Sequence, residues 1–557
     1  MDYKEEIAKL LKKELKLNID FLQLIEVPPT PEMGDYALPC FTLAKELKKA
    51  PQQIANELAP LFKSSWLDKA EAKGPYINFF IKKSCFFEDV ISKIQKEKSN
   101  YGSSKEGKGK NALVEHTSIN PNASPHVGRA RNALIGDSIV RILKFQGYKT
   151  ETHYFVNDVG KQIAMLVYGA GKKKVTFSGL LQLYVDINNK VKENPELEKE
   201  VFSLLNKLEN GDKATKQKFK AIVDTCIKGQ AKIFGELDIK YDFFDYESQY
   251  LWNKRTDEIL KMLKKTGKLS EDEEGRMVLN QEEYSLPTKA PFLVLTRADK
   301  TSLYPLRDIA YTIDKANRAK GKNIVVLGED QKLYFQQVNS ALDLLKFKAP
   351  EAVHYAFVLL SDGKMSTRQG NVVLLEDFMK DAVSKANEEI KKRYGKADLK
   401  TAKAIAYGAV KYAMLKVANE KNVTFDMDTA LNFEGETGPY IQYTYARARS
   451  ILRKAKKVPA KADYCLLSAD SEKKLLVALC AFPEAVKAAE AHYRPTDIAQ
   501  HILDIAQAFN EFYHSCQCLS DCVEPKLRDA RLLLVSSTSI VLKTGLSLLG
   551  IDAPEKM

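Results

Sequence analysis

The sequence predicts an α/β protein: a doubly wound, mostly parallel sheet, preceded by an N-terminal α+β domain and followed by an all-α bundle. Three observations lead to this prediction. Strand-like and helix-like segments alternate between about residues 111 and 345, a Lys-, Gly- and Ser-rich segment precedes them, and strand signals nearly vanish after about residue 380. Such alternation is typical of βαβ units, in which a helix connects two parallel strands.

The N-terminal segment predicts a small α+β domain. It begins with MDYKEEIAKLLKKELKL, a charged amphipathic helix without the apolar core of a signal peptide, and ends with the strand-like GPYINFFI. The next segment, KIQKEKSNYGSSKEGKGKN, lacks apolar periodicity and is typical of a linker. We therefore assign residues 1–110 to an N-terminal domain and its linker.

The middle of the chain, residues 111–380, predicts the parallel sheet. Its strand-like segments are NALVEH, THYFVND, FLVLTR and NIVVLG. A lysine-rich helical stretch at about 165–255 breaks the alternation, and we interpret it as an insertion. Residues 381–557 show mainly helical periodicity, which predicts a helical bundle.

Charge and cysteine content indicate the partner class and the compartment. The net charge of +13 favours an anionic partner, most commonly a nucleic acid. The eight cysteines form no disulfide-like framework, which suits a reducing compartment. The apolar LLLVSSTSIVLKTGLSLLGI carries Lys543 and several hydroxyls, so we expect a packed helix rather than a membrane span. We expect a cytoplasmic protein without membrane association.

One cluster of metal-ligand residue types lies near the C-terminus: His514, Cys516, Cys518 and Cys522. Three of these recur at a spacing of four residues, which core packing on one helix face also produces. Because no second CxxC pair completes a tetrahedral zinc site, we expect no metal site in this chain.

The segment NASPHVGRARNALIGDS, residues 122–138, predicts a turn that leads into a helix and binds phosphate. A helix N-terminus offers unpaired N–H groups and the positive end of a dipole. Gly128 permits close approach, His126 adds a donor, and Arg129 and Arg131 add positive charge. The alternative interpretation is a buried capping histidine before an ordinary helix.

A second segment, SDGKMSTRQGNVV, has the composition of a triphosphate-binding loop. Lys364 and Arg368 bracket Ser366 and Thr367, and these cations and hydroxyls suit a ligand whose charge shifts during a reaction. The alternative is a surface loop with two unrelated cations.

Together, Pro-His-Val-Gly in the first half of the sheet and Lys-Met-Ser in the second resemble the HIGH and KMSKS signatures of class I aminoacyl-tRNA synthetases. The surrounding segments resemble the arginyl-tRNA synthetase family, and they follow in the family's order. These segments are GDYALPCFTLAKELKK, GPYINFFI, VEHTSINPN, HYFVNDVGKQ, LYPLRDIAYT, GEDQKLYFQQ, MSTRQGNVV, GETGPYIQYTYARARSILRK and LSLLGIDAPEKM. The resemblance covers essentially the whole chain.

The resemblance implies a class I synthetase fold and an arginine-tRNA ligase that uses ATP with Mg²⁺, L-arginine and tRNA(Arg), and we expect a monomer. It assigns the reaction chemistry to six residues: His126, Gly128, Arg129, Lys364, Ser366 and Arg368. It assigns ATP binding to four: Pro125, His126, Gly128 and Met365.

The resemblance also implies an arginine pocket. Glu115 and Asn120 would hold the α-amino end, while Tyr304, Asp308 and Gln331 would meet the side chain. Tyr304 and Asp308 are one helical turn apart, so both can face one pocket. An aspartate near a helix start is otherwise more often a cap.

For tRNA, the resemblance implies contacts in both terminal domains. Asn78 matches the position that meets the D-loop; without the resemblance it would be an edge-strand or turn residue. Tyr440, Tyr443, Tyr513 and Met557 are candidates for contacts with anticodon bases by stacking or apolar packing. Tyrosines at helical spacing are otherwise usually core residues.

The sequence departs from the family's signatures in two places. Arg129 replaces the second histidine of HIGH, and Thr367 replaces the second lysine of KMSKS. Some family members compensate with a lysine before the signature proline, where this chain has Ala123. These departures leave open a paralogue that only binds RNA, while the complete pocket set argues against it. An adenylyltransferase for small substrates would not need the long C-terminal helical region.

Overall fold

The computed structural model describes residues 3–30, 33–360, 373–395, 398–520 and 522–557. The chain divides into two compact units. The first unit contains Met1–Tyr101, Ile451–Cys480 and Ala508–Ile540, and the second contains Gly102–Ser450, Ala481–Gln507 and Val541–Met557.

The N-terminal part of the first unit is an α+β arrangement. Its elements are α1 (Tyr3–Leu15), α2 (Phe21–Leu24), β1 (Tyr36–Pro39), α3 (Phe41–Leu47), α4 (Pro51–Leu58), β2 (Leu67–Lys73), β3 (Tyr76–Ile81) and α5 (Lys83–Glu97). The strands form an antiparallel sheet in the order β1-β3-β2. Ile7 and Leu11 on one face of α1 share a core with Phe79 of the sheet, as the amphipathic pattern predicts.

The second unit begins with a strand, the signature turn and a helix. Its first elements are β4 (Asn111–Glu115), α6 (Val127–Phe145), β5 (Lys149–Val156) and α7 (Lys161–Ala170). Gly136 lets α6 lie directly on His116 after β4, because a Cβ atom there would overlap the imidazole. The predicted strands NALVEH and THYFVND are confirmed.

Helices separate β5 from the next strand of the sheet. They are α7 and then α8 (Leu180–Glu193), α9 (Glu196–Glu209) and α10 (Lys213–Glu236), after which β6 (Phe243–Tyr246) returns to the sheet. Val201 and Leu205 of α9 and Phe219 of α10 pack in one core with Tyr154 of β5. The lysine-rich helices thus bury an apolar face against the sheet domain and expose their charged face.

The remaining elements of the sheet region follow. They are α11 (Gln249–Trp252), α12 (Arg255–Lys265), β7 (Leu269–Glu271), β8 (Met277–Asn280), β9 (Phe292–Val294), α13 (Tyr304–Ala319), β10 (Gly321–Gly328), α14 (Lys332–Leu344), β11 (Glu351–Tyr355) and β12 (Val358–Leu360). Five strands form an all-parallel sheet in the order β11-β10-β4-β5-β6. The predicted doubly wound parallel sheet is confirmed.

One predicted strand belongs to a different sheet. The FLVLTR segment contributes β9 to an antiparallel sheet in the order β7-β8-β9, not to the parallel sheet. The connection from β8 to β9 contains no α-helix, and a short connection of this kind favours antiparallel pairing. The apolar pattern predicted the strand correctly but not its partner.

The C-terminal region is mainly helical among the described residues. Its elements are α15 (Leu375–Tyr394), α16 (Leu399–Leu415), β13 (Val423–Phe425), α17 (Met427–Ala430), α18 (Gly438–Lys454), α19 (Asp470–His492), α20 (Pro495–Ser515) and α21 (Pro525–Leu548). The short β13 pairs in parallel with β12. Helix α21 is long and apolar enough to cross a membrane, but 72% of its apolar window is buried within the protein, as in a core helix.

Arg131 is a structural residue of the second unit and not a phosphate ligand, which corrects the sequence-based expectation. It is fully buried, and its guanidinium donates to the carbonyls of Ala356, Val417, Ala418 and Lys421 at 2.7–3.2 Å. Burial lowers the pKa of Arg131 to about 10, so the group stays cationic near neutral pH. One side chain thereby joins the first turns of α6 to the segment between α16 and β13.

We predict that Arg131→Met lowers the free energy of unfolding by about 1–3 kcal/mol, because it leaves buried carbonyls without a donor. Urea denaturation would measure this change. Arg129→Met, on the same turn but half-buried, is the matched control and should change stability by less than about 0.5 kcal/mol. Equal losses in both variants would contradict the prediction.

Candidate active site

The parallel sheet reverses its strand order between β4 and β10. From β4 the chain proceeds outward to β5 and β6, and from β10 it proceeds to β11 on the other side. Ligands of such sheets bind outside the carboxyl ends of the strands at this reversal. Glu115 is the last residue of β4, and Gln331 follows the end of β10 at Gly328. The two residues therefore lie at the ends of neighbouring strands.

The signature turn begins α6 without a side-chain cap. His126 is the N-cap residue in extended conformation, and its side chain makes no capping hydrogen bond. Its Nδ1 atom is buried without a partner among the described residues. Burial and the charge of Arg129 lower the pKa of His126 to about 4. The imidazole is therefore neutral near pH 7, and the alternative of an ordinary capping histidine does not hold.

The second signature lies outside the described residues, and so do Lys364, Met365, Ser366 and Arg368. The chain that follows it is bound to the first signature. Val127 N donates to Val373 O at 3.1 Å, Leu375 N donates to Pro125 O at 2.8 Å, and His126 forms a β-bridge with Leu374. Residues after the second signature thus pair directly with the turn of the first.

Arg129 lies on the first turn of α6, one residue after Gly128. Its side chain is half-buried, and no carboxylate within the described part of the chain lies at ion-pair distance from it. Arg129 therefore forms no structural salt bridge with the described residues. Ala123, where some family members carry a lysine, is buried, and its carbonyl accepts a hydrogen bond from Gln230 of α10 at 2.9 Å.

Asp308 lies in the second turn of α13 and is not a cap, because Leu303 occupies the N-cap position. The hydroxyl of Tyr334 in α14 donates to Asp308 Oδ2, and the rings of Tyr304 and Tyr334 lie 5.3 Å apart. Desolvation raises the pKa of Asp308, and the bond from Tyr334 opposes that rise. Tyr334 thus contacts both Asp308, through its hydroxyl, and Tyr304, through its ring.

Two further carboxylates lie near Asp308, and each has a cation. Glu115 pairs with Lys315 of α13, and Glu247, which follows β6, pairs with Arg307 at 2.6 Å. Burial raises the pKa of Glu247. Asp308 differs from both, since no cation of the described residues lies within ion-pair distance of its carboxylate. Of these three carboxylates, Asp308 is the one without a paired cation among the described residues.

Asn120 lies at the outer end of the loop after β4. It is exposed, and its amide donates to Gln162 Oε1 at 3.3 Å. Asn120, Tyr304 and Arg307 line one pocket of about 340 Å³. Gln331 ends the turn after β10 and is half-buried, three residues before Tyr334.

Sequence reasoning missed Lys315, Arg307, Tyr334 and Glu247. A helical-wheel comparison could have found Lys315, which follows Asp308 at a spacing of seven residues on α13. Arg307 and Tyr334 stand within the quoted segments LYPLRDIAYT and GEDQKLYFQQ. No sequence signal identified Glu247, because the strand before it was not predicted.

Asn78 lies in β3, the central strand of the N-terminal sheet, and is not an edge-strand residue. It is opposite Ala37 on one side and Glu71 on the other, and it is 5% exposed. It lines a surface pocket together with Asn56, Ala59, Pro60, Ala70, Glu71, Ala72, Lys73 and Phe80.

The other tRNA candidates occupy both compact units. Tyr440, Tyr443 and Met557 belong to the second unit and Tyr513 to the first. Tyr443 is half-buried, with Arg447 4.8 Å from its ring, and Tyr513 is 40% exposed. The C-terminal tail that carries Met557 is held by Gln442, which donates to Asp552 O at 2.7 Å.

Comparison with protein-family models covers most of the chain. The catalytic-domain model of class I tRNA synthetases (R) matches residues 90–427. The arginyl tRNA synthetase N-terminal domain matches residues 1–81, and the DALR anticodon binding domain matches residues 441–557.

Full-length relatives agree with these matches. An arginine-tRNA ligase of Methanocaldococcus jannaschii is 38% identical, over 100% of this chain and 98% of that protein. One of Halothermothrix orenii is 37% identical over 100% of both. The solved arginyl-tRNA synthetase of Thermus thermophilus has a TM-score of 0.80 at 27% identity, covering 100% of this chain and 99% of its own. These family-model matches and full-length relatives show that the chain belongs to the arginyl-tRNA synthetase family.

Proposed function

We propose that this protein is an arginine-tRNA ligase whose pocket at the ends of β4 and β10 activates L-arginine with ATP. The observation that carries this assignment is the half-buried Asp308 carboxylate, which has no cationic partner among the described residues and accepts a hydrogen bond from Tyr334, whose ring lies beside that of Tyr304. A planar guanidinium ion is the cation that matches a carboxylate in two-point geometry.

Arginine fills the acidic pocket through both of its positive groups. Asp308 accepts hydrogen bonds from the guanidinium, Tyr304 covers its face, and Gln331 contributes an amide. Glu115 and Asn120 bind the α-amine. A pocket that leaves buried acceptors unpaired with any other ligand discriminates strongly, because an unsatisfied buried group costs about 1–3 kcal/mol.

ATP binds at the turn between Pro125 and Arg129. The neutral His126 and the backbone N–H of Gly128 bind phosphate or ribose oxygens, and Met365 contributes an apolar contact. Lys364, Ser366 and Arg368 neutralise the pyrophosphate. Because the backbone of residues 373–375 pairs with residues 125–127, the chain beyond the second signature is held beside the ATP site.

The reaction proceeds in two steps. A carboxylate oxygen of arginine attacks the α-phosphorus of ATP, the bond to the bridging oxygen breaks, and pyrophosphate leaves. A hydroxyl of the terminal tRNA ribose then attacks the arginyl carbonyl carbon, and AMP leaves. Both steps depend mainly on positioning and charge stabilisation.

Mg²⁺ would accompany ATP and would neutralise part of the phosphate charge. Within the described ranges, no group of three or more His, Cys, Asp or Glu side chains has the arrangement of a metal site.

tRNA(Arg) binds along a chain with a net charge of +13. We assign Asn78 to the D-loop and Tyr440, Tyr443, Tyr513 and Met557 to the anticodon. Residues 1–110, 111–380 and 381–557 act as the elbow-binding, catalytic and anticodon-binding domains, with the insertion at about 165–255. The enzyme works as a monomer in the cytoplasm.

Arginine-dependent ATP–pyrophosphate exchange, measured with and without tRNA, tests the function. Asp308→Asn should weaken arginine binding by about 1.5–3 kcal/mol, the range for a hydrogen bond to a charged group. Asp314→Asn, on the same helix but paired with Arg255, is the control and should leave the KM for arginine unchanged. Equal activation of lysine, or RNA binding without any exchange, would contradict the proposal; the latter result would favour the RNA-binding paralogue.

The pH dependence of kcat/KM for arginine tests the protonation state of Asp308. Only the ionised carboxylate attracts the guanidinium, so kcat/KM for arginine should fall as pH drops through the raised pKa of Asp308. Tyr334→Phe removes a hydrogen bond that stabilises the ionised form of Asp308. The acid limb of the pH profile, where kcat/KM for arginine falls, should therefore move to higher pH. Tyr284→Phe is the control, because it removes a similar bond to Asp343 outside the pocket. An acid limb at the same pH in both variants would refute this assignment.

Arg129 supplies the positive charge that the absent signature lysine provides in relatives. Arg129→Ala should slow adenylate formation about 10²–10³-fold, the effect of losing one preorganised electrostatic group, with little change in ATP affinity. Arg129→His should retain part of the rate. Lys144→Ala, exposed in the last turn of α6, is the control. An unchanged pre-steady-state rate in Arg129→Ala would remove Arg129 from the mechanism.

A further inference from the structure

Lys315 is a buried cation beneath the arginine pocket. Its side chain is 5% exposed, and its ammonium pairs with Oε2 of Glu115, which is 8% exposed. The ammonium also lies 4.6 Å from the centroid of the Tyr311 ring. A buried charge of this kind is costly unless it is paired, so its position is determined by Glu115 and Tyr311.

The second oxygen of Glu115 is held more loosely. Oε1 accepts from the hydroxyl of Ser118 at 3.4 Å, at the long limit of a hydrogen bond. The Tyr311 hydroxyl donates to Asp245 at 3.0 Å and also lies beside Glu115, whose charge adds to burial in raising the pKa of Tyr311. The ammonium of Lys315 therefore orients the carboxylate at Oε2, and Oε1 keeps capacity for another donor.

Lys315 also acts on the charge balance of the pocket. Besides burial, the charge of Glu115 raises the pKa of Asp308, while the charge of Lys315 lowers it. Asp308, Tyr311 and Lys315 lie on one face of α13, at spacings of three and four residues. One helix thus carries an acceptor for the ligand and a cation that pairs with Glu115 and acts electrostatically on Asp308.

We propose that Lys315 is a positioning residue for arginine selection, which fixes Glu115 through Oε2 so that Oε1 meets the α-amine of the substrate. The inference rests on the proposed function, specifically on Glu115 as an arginine ligand. Lys315 does not touch the substrate, and its whole effect passes through Glu115.

A double-mutant cycle in the full-length protein tests this role, using arginine-dependent pyrophosphate exchange in the presence of tRNA. Lys315→Met should raise the KM for arginine about 10–100-fold, as is typical when a supporting partner of a ligand is lost, with the KM for ATP changing less than about twofold. Lys315→Arg should restore most of the arginine KM, because it keeps a cation beside Glu115.

The double variant Lys315→Met/Glu115→Gln separates positioning from folding. Removing both charges avoids an unpaired buried ion, so the double variant should be more stable to urea than Lys315→Met. Its arginine KM should nevertheless equal that of Glu115→Gln alone, since Lys315 acts only through Glu115. This comparison remains decisive if Lys315→Met does not fold.

Arg318→Met is the matched control, because it breaks the exposed ion pair with Glu151 on the same helix. It should leave both KM values unchanged. The role of Lys315 would be overturned if the increases in arginine KM of the two single variants multiplied in the double variant. Equal changes in the KM values for arginine and ATP would overturn it as well. An unchanged arginine KM in Glu115→Gln would instead overturn the assignment of Glu115 as a ligand and the inference with it.

Discussion

The parallel pairing of β4 with β10 is the constraint on which the site depends. In this pairing Val114 lies opposite Ile324, and the two strands come from parts of the chain separated by the whole helical insertion and the antiparallel sheet. Because parallel strands end at the same edge, the loop after Glu115 and the turn at Gln331 leave the sheet at the same edge from neighbouring strands. A shift of this register would separate the two groups of pocket residues.

Most of the buried carboxylates around the proposed pocket are paired with a basic side chain. Glu115 has Lys315, Glu247 has Arg307, and Asp245 has His153 at 2.6 Å and the Tyr311 hydroxyl at 3.0 Å. A buried carboxylate that has a cation beside it is already neutralised, whereas one without a cation gains most from a cationic ligand. The lack of a paired cation at Asp308 therefore indicates the position of a cationic ligand better than the number of acidic residues does.

The first turns of α6 combine two arginines with opposite roles. Arg131 faces inward and satisfies four carbonyls, while Arg129 remains half-buried next to the turn at His126. Two residues along a helix correspond to a rotation of about 200°, so neighbouring cations of this kind face opposite sides. The inward arginine holds the helix start in place, and the other is available for chemistry.

The sequence by itself determined the fold class, the strands NALVEH, THYFVND and NIVVLG, the family, and the pairing of Tyr304 with Asp308 on one helical turn. Each of these depends on local periodicity or on contiguous motifs, which short-range physics controls. Only the tertiary structure decided that FLVLTR joins an antiparallel sheet, that Arg131 is buried, and that Lys315 and Glu247 belong to the site. Those outcomes depend on which distant segments supply the hydrogen-bond and charge partners, and the order of residues along the chain does not contain that information locally.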